Sequence, residues 1–206
     1  MSEAVLASIR PEYCALIASG KKTIEVRKSK PKLDPPFTAY MYQTKGVWTP
    51  DMMPWTGAHR GKVIGEFVCD KITDFEAEFV EDNCLNAIRR FDRDDDGDKY
   101  SFFETSNARF NPDDCELCRR SCLSFAAIRK YIGYSEFGVF YGWNISDLKI
   151  YDKPRELSEF WKPDKCEYAT DAGCTYKYFC TRSAQINRCG EKLTRPPQSW
   201  CYVEAI

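Results

Sequence analysis

Lys22, Thr23, Glu25 and Arg27 fall within one six-residue stretch and carry the groups that could do chemistry together. The amine and the carboxylate could move protons, the guanidinium could hold an anion, and the hydroxyl could donate or accept a hydrogen bond. From Thr23 onward the residue types alternate, which predicts a strand. Thr23, Glu25 and Arg27 then share one face, and Ile24 and Val26 the other. Lys22 has the wrong parity for the polar face and must reach it from the turn that Gly20 permits. The same pattern also describes an ordinary half-exposed strand whose charges are solvated.

Other elements must position this stretch. Val5–Arg10 reads as a buried strand, and Pro11 opens a helix at a position proline tolerates. Tyr13, Leu16 and Ile17 form that helix's apolar stripe, and Ser19-Gly20 ends it. Phe37–Thr44, Lys62–Phe75 and Phe137–Tyr151 are predicted strands, the last bent at Gly138 or Gly142. Ser124–Gly133 predicts a short amphipathic helix with Phe125, Ile128 and Ile132 on its stripe. Leu157, Phe160 and Trp161 suit a short helix plugging one end of the fold, and Trp200–Ile206 a closing strand. Lys28–Pro36 reads as a basic, solvated connection.

The charge is unevenly spread. Residues 1–60 carry nine Lys and Arg against five Asp and Glu, residues 61–120 nine against sixteen, and residues 121–206 twelve against ten. The flanking segments permit a local phosphate-binding patch but are not as basic as a nonspecific DNA binder. Over 76–122 acidic residues dominate and the periodicity fades, which reads as an insertion. Within it, Asp92-Arg93-Asp94-Asp95-Asp96-Gly97-Asp98 resembles the start of a calcium loop, but the twelfth position is Phe103. An acidic loop without calcium is the preferred reading.

The chain has no apolar run long enough to span a membrane, and its N-terminus lacks signal-peptide features, so a cytoplasmic protein is expected. In a reducing compartment the eleven cysteines are thiols or metal ligands. Cys166, Cys174, Cys180 and Cys189 fit a small structural zinc site in a segment, about 162–192, that has few apolar residues to hold it. Cys115, Cys118 and Cys122 have metal-like spacing without a close fourth ligand. No organic cofactor is expected. The single histidine, His59, has no visible partner for nucleophilic catalysis.

Gly20, Lys22, Glu25 and Arg27 fit G-x-K-x-x-E-x-R, the signature of the ASCH domain, a PUA-like family. Leu6–Tyr13 resembles that family's opening strand and turn, and Gly61–Phe67 a later barrel strand. Tyr141–Leu148 and Thr194–Val203 resemble segments of ASCH proteins encoded by bacteriophages and prophages. The resemblance implies an α+β fold over residues 1–206: one PUA-like β-barrel flanked by short helices, with the acidic insertion and the Cys-rich segment added to it.

It also implies a cleft that binds RNA or a single exposed base, in a protein acting in the cytoplasm of a bacterial host. Arg10, Lys21, Lys22, Arg27 and Arg195 are candidates to meet phosphate. Tyr42 and Trp143 could stack on bases, with Tyr40 and Trp200 as further aromatics. Gln198 and Ser199 could read a base edge, with Asn144 and Glu25. Two rivals stand beside this reading. Some ASCH proteins hydrolyse acylated cytidine nucleosides, and others are ribonucleases, which would make Lys22, Glu25 and Thr23 catalytic. Lys22 matches the lysine of the members that hydrolyse acylated nucleosides, whereas Glu25 stands where those members have threonine. The other rival is a protein-interaction module that docks a host protein through the acidic insertion and the Cys-rich segment.

Overall fold

The structure, a computed structural model, describes residues 2–46, 59–79, 85–93, 99–106, 115–133, 137–163, 169–170, 173–174 and 192–206. Ten of its strands build two five-stranded sheets. The first has the order β12(Trp200–Glu204), β1(Glu3–Ile9), β3(Phe37–Gln43), β4(Val63–Cys69), β9(Ser146–Arg155). The second runs β2(Ile24–Arg27), β8(Phe137–Asn144), β5(Ile72–Phe79), β6(Leu85–Arg93), β7(Lys99–Ser106). The short strands β10(Ala169–Thr170) and β11(Gly173–Cys174) pair only with each other.

β1 lies between parallel β3 and antiparallel β12, and both of its faces are covered. Val5, Ala7 and Ile9 enter one apolar cluster, Ala4 and Leu6 another. That is why this segment reads as a continuous apolar run and not as an alternation. The first cluster fills the space between the sheets. Phe37, Ala39, Met41 and Phe67 of the first sheet meet Trp143 of the second there, with Cys14 and Ile17 of α1(Pro11–Ala18). The buried side of α1 is thus Pro11, Cys14 and Ile17, one step round from the expected stripe.

The outer face of the second sheet carries Ile24, Val26, Phe75, Ala77 and Phe140. It is covered by α2(Glu116–Ser121) and α3(Phe125–Ile132). Ser124 caps α3, its hydroxyl accepting from the Ala127 amide at 3.2 Å, and Gly133 ends it. The outer face of the first sheet is covered by the 3₁₀ turn Leu157–Glu159 and by Phe160 and Leu193.

Four expectations need correction. Among the described residues the strands do not close into one barrel; β12 and β9 end the first sheet. Residues 62–75 are not one strand. The chain leaves β4 at Asp70-Lys71 and starts β5 in the other sheet. Residues 137–151 likewise divide at Ile145, between β8 and β9, with Asp147 in the left-handed region just after it (φ 45°). Where they are described, residues 76–122, read as an insertion in which the periodicity fades, hold regular strands. β5, β6 and β7 form an antiparallel meander there. In β5, Phe75 and Ala77 point into the core while Asp74, Glu76 and Glu78 alternate with them. Glu78 pairs with Arg89 across the strands at 3.4 Å. Asp92 and Arg93 finish β6, and residues 94–98 of the calcium-like motif lie outside the described residues.

Candidate functional site

α1 ends at Gly20 in the left-handed region (φ 73°), and its last turn closes with the Lys21 and Lys22 amides both donating to the Leu16 carbonyl at 3.0 Å. This turn carries Lys22 inward to the polar face of β2, as parity requires. The Lys22 ammonium donates to the Ile24 carbonyl at 2.8 Å and to the Ser121 carbonyl at 2.8 Å. It stands 3.3 Å from Glu25 Oε2 and 5.3 Å from the centre of the Tyr13 ring. Glu25 Oε1 is 2.9 Å from Arg27 Nη2. Arg27 continues outward, donating to the Ser8 carbonyl at 3.0 Å, the Ser199 carbonyl at 2.9 Å and the Ser199 hydroxyl at 3.3 Å.

All three charged residues are buried: Lys22 is 2%, Glu25 6% and Arg27 4% exposed. Of the two readings of this face, the solvated one fails: the face is a buried ionic cluster. Each cation adds carbonyl acceptors to its share of the carboxylate, the condition under which buried charge is tolerable. The cluster binds β2 to the C-terminal end of α2, to the end of β1 and to the start of β12.

Thr23 does not join the cluster. Its hydroxyl accepts from Arg120 Nε at 3.1 Å, and its amide donates to the Arg120 carbonyl at 2.8 Å. Burial pushes the Cys14 thiol beside the cluster well up, with Glu25 adding to it, so it is no nucleophile. Burial and the Glu12 carboxylate likewise raise the Tyr13 hydroxyl.

The nucleic-acid candidates divide into two groups. Arg10, Lys21, Arg195 and Gln198 are exposed. Tyr42 and Trp143 are buried in the core, so neither offers a face to a base. Trp143 packs edge-on to Phe37 at 5.8 Å and tilted against Trp200 at 5.9 Å. Trp200 and Tyr202 are only half-buried. Trp200 Nε1 donates to Ser29 Oγ at 3.0 Å, and the Lys32 amide donates to the Tyr202 hydroxyl at 2.7 Å. The Lys28–Pro36 connection is therefore fastened to β12. Ser199 is engaged by Arg27 and by the Ser8 amide, so it positions its loop.

No local pattern in the sequence marks Ser121 and Arg120. Nothing near them in the chain reveals that the end of α2 meets a strand almost a hundred residues earlier.

Cys166, Cys180 and Cys189 lie outside the described residues, and Cys174 is described only as part of strand β11. Cys115 and Cys118 are buried at the start of α2, where the Cys115 sulfur accepts from the Cys118 amide at 3.3 Å. Among the described residues no three Cys, His, Asp or Glu side chains gather to hold a metal ion.

A model of the ASCH domain matches residues 8–145. Among solved structures, an ASCH protein from Zymomonas mobilis is 18% identical, with 75% of this chain and 73% of that chain covered and a TM-score of 0.45. A tyrosine-to-phenylalanine variant of the same protein aligns at 18% identity, 75% and 76% coverage and a TM-score of 0.43. No curated protein matches the chain in sequence. The match over residues 8–145 takes in α1, the ionic cluster and the second sheet as far as the crossing at Ile145, and the chain belongs to the ASCH domain family, whose fold is PUA-like.

Proposed function

We propose that the protein binds RNA or a nucleotide and recognises an exposed base beside the end of β1. The observation that carries this reading is the Arg27 staple. By holding the Ser8 and Ser199 carbonyls together, Arg27 fixes the 195–199 loop against the strand end that leads to Arg10. Exposed Arg10, Arg195 and Gln198 flank that junction, and half-buried Trp200 follows it directly. Lys21 adds a cation from the turn that delivers Lys22. Cations that meet phosphate, with an aromatic ring beside them, are what single-stranded RNA requires. The family's PUA-like, RNA-binding type of fold supports the same reading. The resemblance of residues 141–148 and 194–203 to phage and prophage proteins adds a bacterial cytoplasm as the setting, which phage genes flanking this one would support and their absence oppose.

The test is fluorescence anisotropy with short single-stranded RNA at several salt concentrations. Each phosphate contact contributes about −0.7 to the slope of log K against log salt. The triple variant Arg10→Gln, Lys21→Gln, Arg195→Gln is expected to flatten that slope by about 2 and to weaken binding. Wild-type protein without saturable RNA binding, or a triple variant with an unchanged slope, overturns the proposal.

The hydrolase reading meets a geometric obstacle. The Lys22 nitrogen is buried, donates to two carbonyls and stands beside the Glu25 carboxylate, so a substrate reaches it only if these groups move. Hydrolysis of acylated nucleosides or RNA above a Lys22→Ala control would restore that reading.

A further inference from the structure

The opposite face of β2 carries a second feature. A cavity of about 270 Å³ opens between α2 and the outer face of the second sheet. Its apolar floor is Ile24, Phe75 and Leu117, and its walls carry Lys71, Arg90 and Arg120 against one carboxylate, Glu116. Gly142 keeps the floor close-packed: a Cβ there would stand 2.8 Å from Phe75 Cε2 and 3.0 Å from Ile24 Cγ2.

Arg120 is preorganised. Its Nε donates to Thr23 Oγ1 at 3.1 Å and its Nη2 to Asn144 Oδ1, while Asn144 Nδ2 donates to Asp70 Oδ1 at 2.6 Å. The remaining nitrogen, Nη1, reaches Glu116 Oε1 only at 3.5 Å. The other oxygen of Glu116 lies 3.4 Å from Arg90 Nη1. One carboxylate is stretched between two guanidinium groups, with both separations longer than the roughly 2.7–2.9 Å of a strong charged pair. Its side chain is 45% exposed and can turn into water. A phosphate monoester carries more charge and three acceptor oxygens, and it matches two guanidinium groups better than one carboxylate does.

We propose that this cavity binds a small phosphate monoester, with Arg90 and Arg120 gripping the phosphate and Glu116 displaced. The organic part rests on Phe75, Ile24 and Leu117. The volume lies just under the roughly 300 Å³ where pockets for small organic ligands begin, so the ligand is no larger than a mononucleotide. Glu25 and Arg27 point to the other side of β2, so failure of RNA binding at the Arg10–Arg195 rim leaves this proposal standing.

The test is isothermal titration calorimetry with inorganic phosphate, ribose 5-phosphate, adenosine 5′-monophosphate and adenosine. The two monoesters are expected to bind saturably and more tightly than inorganic phosphate, and adenosine not to bind. Arg90→Gln is expected to weaken the monoesters about tenfold or more, as loss of a charged donor implies. Glu116→Gln is expected to tighten them several-fold, because the competing anion is gone; general damage to the fold would not do that. The proposal is overturned if neither monoester binds, if inorganic phosphate or adenosine binds as tightly as they do, or if Glu116→Gln fails to tighten binding.

Discussion

Lys22, Glu25 and Arg27 hold one another and three distant carbonyls in a space closed to water. Removing one member therefore costs more than its own hydrogen bonds, because the charge it balanced stays buried. Lys22→Met leaves the Glu25 carboxylate with one cation instead of two and releases the Ser121 carbonyl. Breaking a buried pair from one side typically destabilises by about 3–5 kcal/mol, whereas replacing both partners by apolar residues is often close to neutral. Denaturant unfolding of Lys22→Met is expected to show a loss of that order. The Lys22→Met/Glu25→Met double variant is expected to recover part of it. If the single variant is as stable as the parent, the cluster is not holding the fold.

At the scale of strands and helices, Gly142 sets how closely β2, β8 and β5 pack. Its missing Cβ makes room for Phe75 and Ile24, so Gly142→Ala is expected to cost about 1–3 kcal/mol by overpacking, measurable as a lower midpoint of unfolding. The sequence suggests a bend at this glycine. The bend lies instead at Ile145, where the Ile145 amide donates to the Thr23 carbonyl at 3.0 Å. What is legible in the sequence has a local cause. β1 and β3 are dense apolar runs, α1 has proline at its start and glycine at its end, and α3 has its serine cap. What is not legible depends on partners remote in sequence. In β5 the alternation is present, but Asp74, Glu76 and Glu78 give it the composition of a loop. Parity puts Trp143 and Gly142 on opposite faces, yet it does not say that both faces are covered. For the same reason Tyr42 reads as a surface aromatic, and the charges of β2 as a solvated face.

Across the molecule, the thiols make stability depend on alkaline pH. Burial, with Asp70 beside it, pushes the Cys69 thiol up to about 12; burial takes Cys201 to about 11 and holds Cys14 well up. In the unfolded chain these groups ionise near the ordinary cysteine value of about 8.5. Folding raises their pKa, so their contribution is intact below that value and is lost as pH rises from about 9 toward 12. The Cys69 thiol contributes a decline of up to about 1.4 kcal/mol per pH unit in that window. Unfolding free energies at pH 8 and 10.5 are expected to show the decline, and Cys69→Ala to make it shallower. Equal slopes for the variant and the parent would show that Cys69 has no part in it.

The Arg27 staple also sets a timetable for the chain as it is made. Arg27 finds Ser8 only 19 residues away but Ser199 172 residues further on, and Lys22 waits 99 residues for Ser121. At a synthesis rate of about 5–20 residues per second, roughly 10–35 s separate the appearance of Arg27 from that of Ser199. Through that interval Arg27 has Glu25 and Ser8 at hand but not Ser199, and the charges of β2 lack the cover that later buries them. Those charges keep the nascent segment hydrated and discourage it from sticking to other chains. β12 then pairs with β1 at the edge of the first sheet.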